Sequence, residues 1–147
     1  MGAAGLPSAV AAGGNSSSSS GNGNGSNNPS PTTFNGTYTG AVNATTNTCS
    51  FPSPMTMSGT LTVDSTGHGT WQGGSGIGSF SLGATVTVTG ASTATLTATG
   101  TQAVGSQSVT VNDTGTINGP TLNMTRNLAS AGATPCSTIY GGSLNRS

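Results

Sequence analysis

Small polar and apolar residues alternate with a period of two through residues 34–147, and no segment there has the spacing of an amphipathic helix. Such alternation is typical of β-strands that bury one face. We predict eight strands. The inward residues of the first seven strands, in chain order, are Phe34, Gly36, Tyr38, Gly40 and Val42; Met55, Met57, Gly59, Leu61 and Val63; Trp71; Phe80, Leu82, Ala84, Val86 and Val88; Ala94, Leu96 and Ala98; Val109 and Val111; and Ile117, Leu122 and Met124. The eighth strand runs from Cys136 through Tyr140 and Leu144 to Arg146.

Short turns separate these strands and indicate an antiparallel meander. Eight strands are enough to close into an up-and-down barrel filled by side chains, so the predicted fold class is all-β; a flattened barrel or sandwich is the alternative. Ile117 and Leu122 lie on opposite phases of the alternation. If both belong to the seventh strand, a bulge near residues 118–120 must restore the phase.

The two cysteines test this closure. In an eight-strand up-and-down barrel the last strand lies antiparallel beside the first, so the end of the first strand is close to the start of the eighth. Cys49 follows strand one and Cys136 opens strand eight. We therefore predict a disulfide that closes a loop of about 88 residues and contributes on the order of 4 to 5 kcal/mol. Two reduced thiols are the alternative, and a zinc site is disfavoured because His68 is the only other typical ligand.

Residues 1–33 have a different composition from the rest of the chain. Residues 13–33 are rich in Gly, Ser and Asn and contain no large apolar side chain, which predicts a disordered, flexible tether before a domain at 34–147. Before them, Val10, Ala11 and Ala12 resemble a signal-peptide cleavage region whose basic and apolar front is missing. Export to the bacterial periplasm, outer surface or medium would supply the oxidising compartment that a disulfide requires. A lipid anchor is disfavoured because Ala12 stands where a lipoprotein cysteine would be.

Charge excludes several functions. Charged residues are 3% of the 147-residue chain, against about 25% in ordinary domains. Two basic residues cannot neutralise many phosphates, which excludes nucleic acid as a main partner.

No apolar run approaches the roughly 18 residues of a transmembrane helix. A transmembrane β-barrel is disfavoured because aromatic residues, which such barrels need at both interfaces, are only 4% of the chain.

The opening strand, Phe34-Asn35-Gly36-Thr37-Tyr38, resembles the Gly-x-Trp opening of lipocalin-like (calycin) barrels, with Tyr38 in the tryptophan position. In that family an arginine late in the last strand packs over the opening aromatic residue, and the resemblance assigns this structural role to Arg146. Phe34 is the second ring that Arg146 could cover. The whole chain also looks like exported bacterial proteins in which a Gly/Ser-rich tether precedes a disulfide-linked β domain.

Candidate chemistry is sparse. His68 and Asp64 could form a Ser/His/Asp set on paper, but no Gly-x-Ser-x-Gly elbow accompanies them, and His68 is predicted to be a solvated turn residue. We expect no enzyme activity, no catalytic residue, no metal and no cofactor. The alternating threonines at 85–89 and 93–99 resemble ice-binding arrays, although the strand propensity of threonine explains them without a function.

The preferred hypothesis is an exported, non-enzymatic structural or interaction module on a flexible tether, with an unidentified protein or surface as its partner. The alternative is a lipocalin-like carrier of a small apolar ligand. In that case the inward aromatic residues are expected to line the cavity: Tyr38, Trp71, Phe80 and Tyr140. Glycines on the inward face decide between the two, because they either let the barrel fill or leave space for a ligand.

Overall fold

The computed structural model describes residues 28–132 and 135–147. In this part of the chain a 3-10 helix at Pro31–Phe34 precedes eight strands. The strands are β1 (Gly36–Asn47), β2 (Met55–Val63), β3 (His68–Ser75), β4 (Gly78–Val88), β5 (Thr93–Val104), β6 (Gln107–Asn118), β7 (Thr121–Ser130) and β8 (Cys136–Arg146).

The eight strands form one closed barrel in sequence order. Each strand pairs antiparallel with the next, and β8 pairs antiparallel with β1. The predicted eight-strand up-and-down barrel is therefore confirmed. Along β4 to β7, inward-pointing and mostly apolar residues alternate with outer positions rich in Thr, Ser and Asn, as the period of two requires.

The two ends of the barrel carry different structures. The 3-10 helix and the first residues of β1 lie at one end, together with the turn from Val63 to His68; we call this the helix end. The other end contains the β1–β2 loop and the Cys49–Cys136 disulfide; we call this the disulfide end. The predicted disulfide is confirmed, with the two Cα atoms 5.0 Å apart.

The predicted bulge at residues 118–120 is wrong. Ile117 belongs to β6, and Asn118 pairs with Thr121 across a two-residue turn in which Gly119 has a φ of 59°. The phase of the alternation changes because a turn separates the two strands, so no bulge is needed. A register shift does occur between β1 and β8, at Ala44 and Thr46.

The 3-10 helix begins within the predicted tether. Ser30 caps it by accepting a hydrogen bond from the Thr32 amide, and Phe34 at its end is 2% exposed. The side chain of Asn35 then makes two hydrogen bonds with the backbone of Val63. Among the described residues, regular structure therefore starts at Pro31, three residues before the predicted boundary, because the helix can bury Phe34 against the barrel. The predicted disorder of the tether concerns mostly residues 1–27, which lie outside the described residues.

The disulfide links positions 87 residues apart, so it removes much of the freedom of the unfolded chain. We expect the Cys49→Ser, Cys136→Ser double variant to lose about 4 kcal/mol of unfolding free energy while keeping its β-sheet spectrum. Urea denaturation of the oxidised protein, the reduced protein and the variant measures this. The reduced protein should match the variant. A variant as stable as the oxidised protein would contradict the predicted contribution.

Candidate functional site

Aromatic side chains fill the middle of the barrel. Tyr38 and Trp71 are fully buried, and Phe80 is 4% exposed. The Tyr38 and Trp71 rings lie 6.2 Å apart between centroids, and the Trp71 and Phe80 rings lie 5.9 Å apart. Both pairs are tilted, within the range in which aromatic rings attract one another. Three of the four residues predicted to line a cavity therefore pack against each other.

Tyr140, the fourth predicted lining residue, is also fully buried but makes a different contact. Its hydroxyl donates a 2.6 Å hydrogen bond to the carbonyl of Pro52 in the β1–β2 loop. The hydroxyl of Tyr38 donates to the carbonyl of Phe34 at the other end of the barrel. Burial raises the pKa of both tyrosines, and the nearby Arg146 and Arg126 respectively oppose that rise.

Two arginines terminate the row of rings. The guanidinium carbon of Arg146 lies 5.9 Å from the centre of the Tyr38 ring, as the family resemblance implied, and its Nη1 donates to the carbonyl of Thr33. The guanidinium carbon of Arg126 lies 4.1 Å from the centre of the Phe80 ring. We call the five side chains Arg146, Tyr38, Trp71, Phe80 and Arg126 the interior stack.

Glycines provide the space that this stack occupies. A Cβ at Gly59 would lie 2.5 Å from the Trp71 ring, and a Cβ at Gly36 would lie 2.6 Å from Cδ of Arg146. Gly36 also has a φ of +151°, which other residues rarely adopt. At these two positions the inward glycines let large neighbours fill the barrel.

A buried ion pair lies at the inner end of the stack. Arg126 donates from Nε to Oδ1 of Asp113 at 2.8 Å and from Nη2 to Oδ2 at 2.6 Å. The indole nitrogen of Trp71 donates a third hydrogen bond to the same carboxylate at 3.0 Å. Both charged side chains are fully buried. Asp113 and Arg126 were not predicted as site residues, although Asp113 continues the inward series of Val109 and Val111, and Arg126 continues that of Leu122 and Met124.

His68 and Asp64 lie away from this interior. Both are exposed, and Asp64 accepts hydrogen bonds from the backbone amides of Thr66 and His68 within its own turn. The hydrogen bond from the Thr66 side chain is the main cause that lowers the pKa of the Asp64 carboxyl. His68 is exposed, as predicted, but it is the first residue of β3 rather than a turn residue.

Within residues 28–132 and 135–147, no group of three or more His, Cys, Asp or Glu side chains could hold a metal ion. The same residues contain no helix long and apolar enough to cross a membrane. Comparison of the chain with protein-family models, curated proteins and solved structures finds no significant match. The site is therefore interpreted from its own geometry.

The ion pair predicts an asymmetric response to mutation. Asp113→Asn should lower the unfolding free energy by about 3–5 kcal/mol, because it leaves Arg126 buried without its counter-charge. The double variant Asp113→Asn, Arg126→Met should recover most of that loss, since no buried charge remains and the amide oxygen can still accept from Trp71. Urea denaturation of the single and double variants completes the comparison. A single variant that loses less than about 1 kcal/mol would contradict the desolvated pair.

Arg146→Met tests the outer end of the stack. The methionine keeps an apolar stem but loses the charge over Tyr38, so we expect a loss of about 0.5–2 kcal/mol with the fold retained. Arg146→Lys is the matched control, because lysine keeps the charge and should lose less. Thermal and urea unfolding measure both. Equal losses in the two variants would show that the charge over the ring contributes nothing.

Proposed function

We propose that this protein is an exported, non-enzymatic structural or interaction module whose barrel serves as a stable scaffold on a flexible tether. The observation that carries the proposal is the interior stack, because its side chains occupy the space that a carrier of an apolar ligand would leave open. The rings contact each other in sequence from Tyr38 to Phe80, and both ends of that row are covered by a guanidinium.

The outer surface supports a role in contacts rather than chemistry. Exposed threonines and asparagines follow one another across β4 to β7: Thr85 pairs with Thr97, Thr97 with Thr114, and Thr114 with Thr125. A parallel row continues through Thr99, Asn112 and Asn127. These side chains offer hydroxyl and amide groups without charge, which suits a neutral, polar partner or surface.

The disulfide supports the location. Disulfides persist in oxidising compartments, so the Cys49–Cys136 bond fits an exported protein better than a cytosolic one. The predicted tether, without the residues from Pro31 onward that form the 3-10 helix, would then hold the barrel away from the surface to which it is attached.

An apolar fluorescent probe, N-phenyl-1-naphthylamine, distinguishes this module from an apolar-ligand carrier. Trp71 is the only tryptophan and lies in the stack, so a probe inside the barrel must change its emission. We expect no saturable quenching of Trp71 and no probe enhancement at micromolar concentrations. A variant with Trp71→Phe and Thr70→Trp carries its reporter on the outer face and controls for surface adsorption. Saturable one-to-one quenching confined to Trp71 would favour the carrier and contradict the scaffold.

A further inference from the structure

Four buried polar atoms on β5 and β7 have no hydrogen-bond partner among the described residues. They are Nη1 of Arg126, both polar atoms of the Gln102 amide, and Oγ of Ser130. All three side chains are at least 96% buried, since their exposed fractions are 0%, 3% and 4%. Buried polar groups in native proteins almost always have partners, so this cluster requires an explanation.

The strand register brings the three residues to one region of the barrel wall. Gln102 on β5 lies opposite Val109 on β6, and the pairing of Thr110 with Ala129 places Ser130 of β7 next to Val109 on its other side. Arg126 points inward from the same face of β7, four residues before Ser130.

Phe80 connects Arg126 to this region. The guanidinium of Arg126 lies over the Phe80 ring on β4, the strand that pairs with β5, to which Gln102 belongs. The amide nitrogen of Gln102 is also 3.6 Å from the position of a Cβ on Gly78, at the start of β4. Arg126, Gln102 and Ser130 therefore border the same part of the interior.

The charges define what can bind there. The positive charge of Arg126 is already balanced by Asp113, so an added anion would bury an uncompensated negative charge, and an added cation would face a guanidinium. Nη1 of Arg126 can only donate, whereas the Gln102 amide and the Ser130 hydroxyl can both donate and accept. The matching molecule is neutral and offers a carbonyl or hydroxyl oxygen to Arg126.

We propose that the interior beside Arg126, Gln102 and Ser130 is a binding site for a small neutral molecule that carries a carbonyl or hydroxyl group. This site does not depend on the proposed role of the outer surface. It differs from the apolar cavity of a carrier because its recognition groups are polar and its position is on the disulfide side of the stack.

The β1–β2 loop covers part of the disulfide end, through which we expect a ligand to enter. The loop lies across the disulfide end, because Pro52 accepts a hydrogen bond from Tyr140 of β8 and also lies 3.6 Å from the position of a Cβ on Gly76, in the β3–β4 turn. The Cys49–Cys136 bond holds the start of this loop to β8. Hydrogen bonds between Thr48 and Ser137 hold the same point, so reduction removes the covalent part of this attachment and should speed ligand entry.

Acetamide and acetate are matched probes for the site because they have the same shape and differ in charge. In the oxidised protein we expect acetamide to cause saturable NMR shifts of the Gln102 side-chain amide and of Arg126 Nε–H, and acetate to bind at least tenfold more weakly. Samples are incubated for a day, so that slow entry does not hide binding.

Gln102→Leu removes the amide while keeping a side chain of similar size, and should weaken acetamide binding at least tenfold, with the Arg126 shift lost. Gln72→Leu is the matched control, because Gln72 is exposed on the outer face of β3. Its affinity should stay within twofold of the unchanged protein. An unchanged thermal midpoint for Gln102→Leu would separate lost recognition from lost folding.

The Cys49→Ser, Cys136→Ser variant tests the loop. We expect acetamide to enter at least tenfold faster in this variant, with a similar affinity. Absence of saturable shifts in both the oxidised protein and the variant would overturn the proposal and leave ordered water as the partner of these atoms. Acetate binding as tight as acetamide, or equal effects of Gln102→Leu and Gln72→Leu, would also overturn it.

Discussion

The pairing of Asp113 with Arg126 removes an ambiguity that the sequence otherwise leaves in the sheet. Threonine, serine and asparagine alternate with mostly apolar residues along β4 to β7, so a slip of two residues between neighbouring strands would keep most side chains on the same face. Such a slip between β6 and β7 would place Asp113 opposite Met124 or Leu128 and leave two buried charges unpaired. Because that cost is several kcal/mol, the ion pair selects one register.

The same pair also fixes the interior. The carboxylate of Asp113 holds the Trp71 indole, and the guanidinium of Arg126 covers Phe80, so β3, β4, β6 and β7 are connected across the barrel. Few other residues could do this, since aromatic residues are only 4% of the chain. A buried arginine therefore acts partly as a large planar side chain, which fills volume as well as carrying charge.

Alternation alone was sufficient to predict most of the fold, and cysteine placement was sufficient to predict the closure. The eighth strand begins and ends at the predicted residues, Cys136 and Arg146. The sequence does not distinguish the turn at Gly119 from a bulge, because both change the phase of the alternation in the same way. The 3-10 helix was missed because its stability depends on a tertiary contact, the burial of Phe34, rather than on local helix propensity.

The interior chemistry was less predictable. Tyr38, Trp71, Phe80 and Tyr140 were recognised as inward-facing, but their packing depends on glycines whose vacant Cβ positions face particular rings, which periodicity does not encode. The sequence does mark Asp113 and Arg126, because each lies on the inward phase of its strand. Gln102 had the same signal, because it shares the inward phase of Leu96 and Ala98. A polar residue on the inward phase of a strand is therefore the feature that should direct attention to such a site.

Barrel closure also explains how a chain with so little charge avoids pairing with its neighbours. Open sheets protect their edge strands with charged side chains, especially lysine. This chain contains no lysine and only four charged residues. Pairing β1 with β8 leaves no edge strand among the described residues, so charge is not required for that protection. Asp113 and Arg126 are fully buried, whereas Asp64 and Arg146 both lie at the helix end. The remaining wall of the barrel is free to present threonine and asparagine, so one topological feature permits both the neutral surface and the use of charge inside.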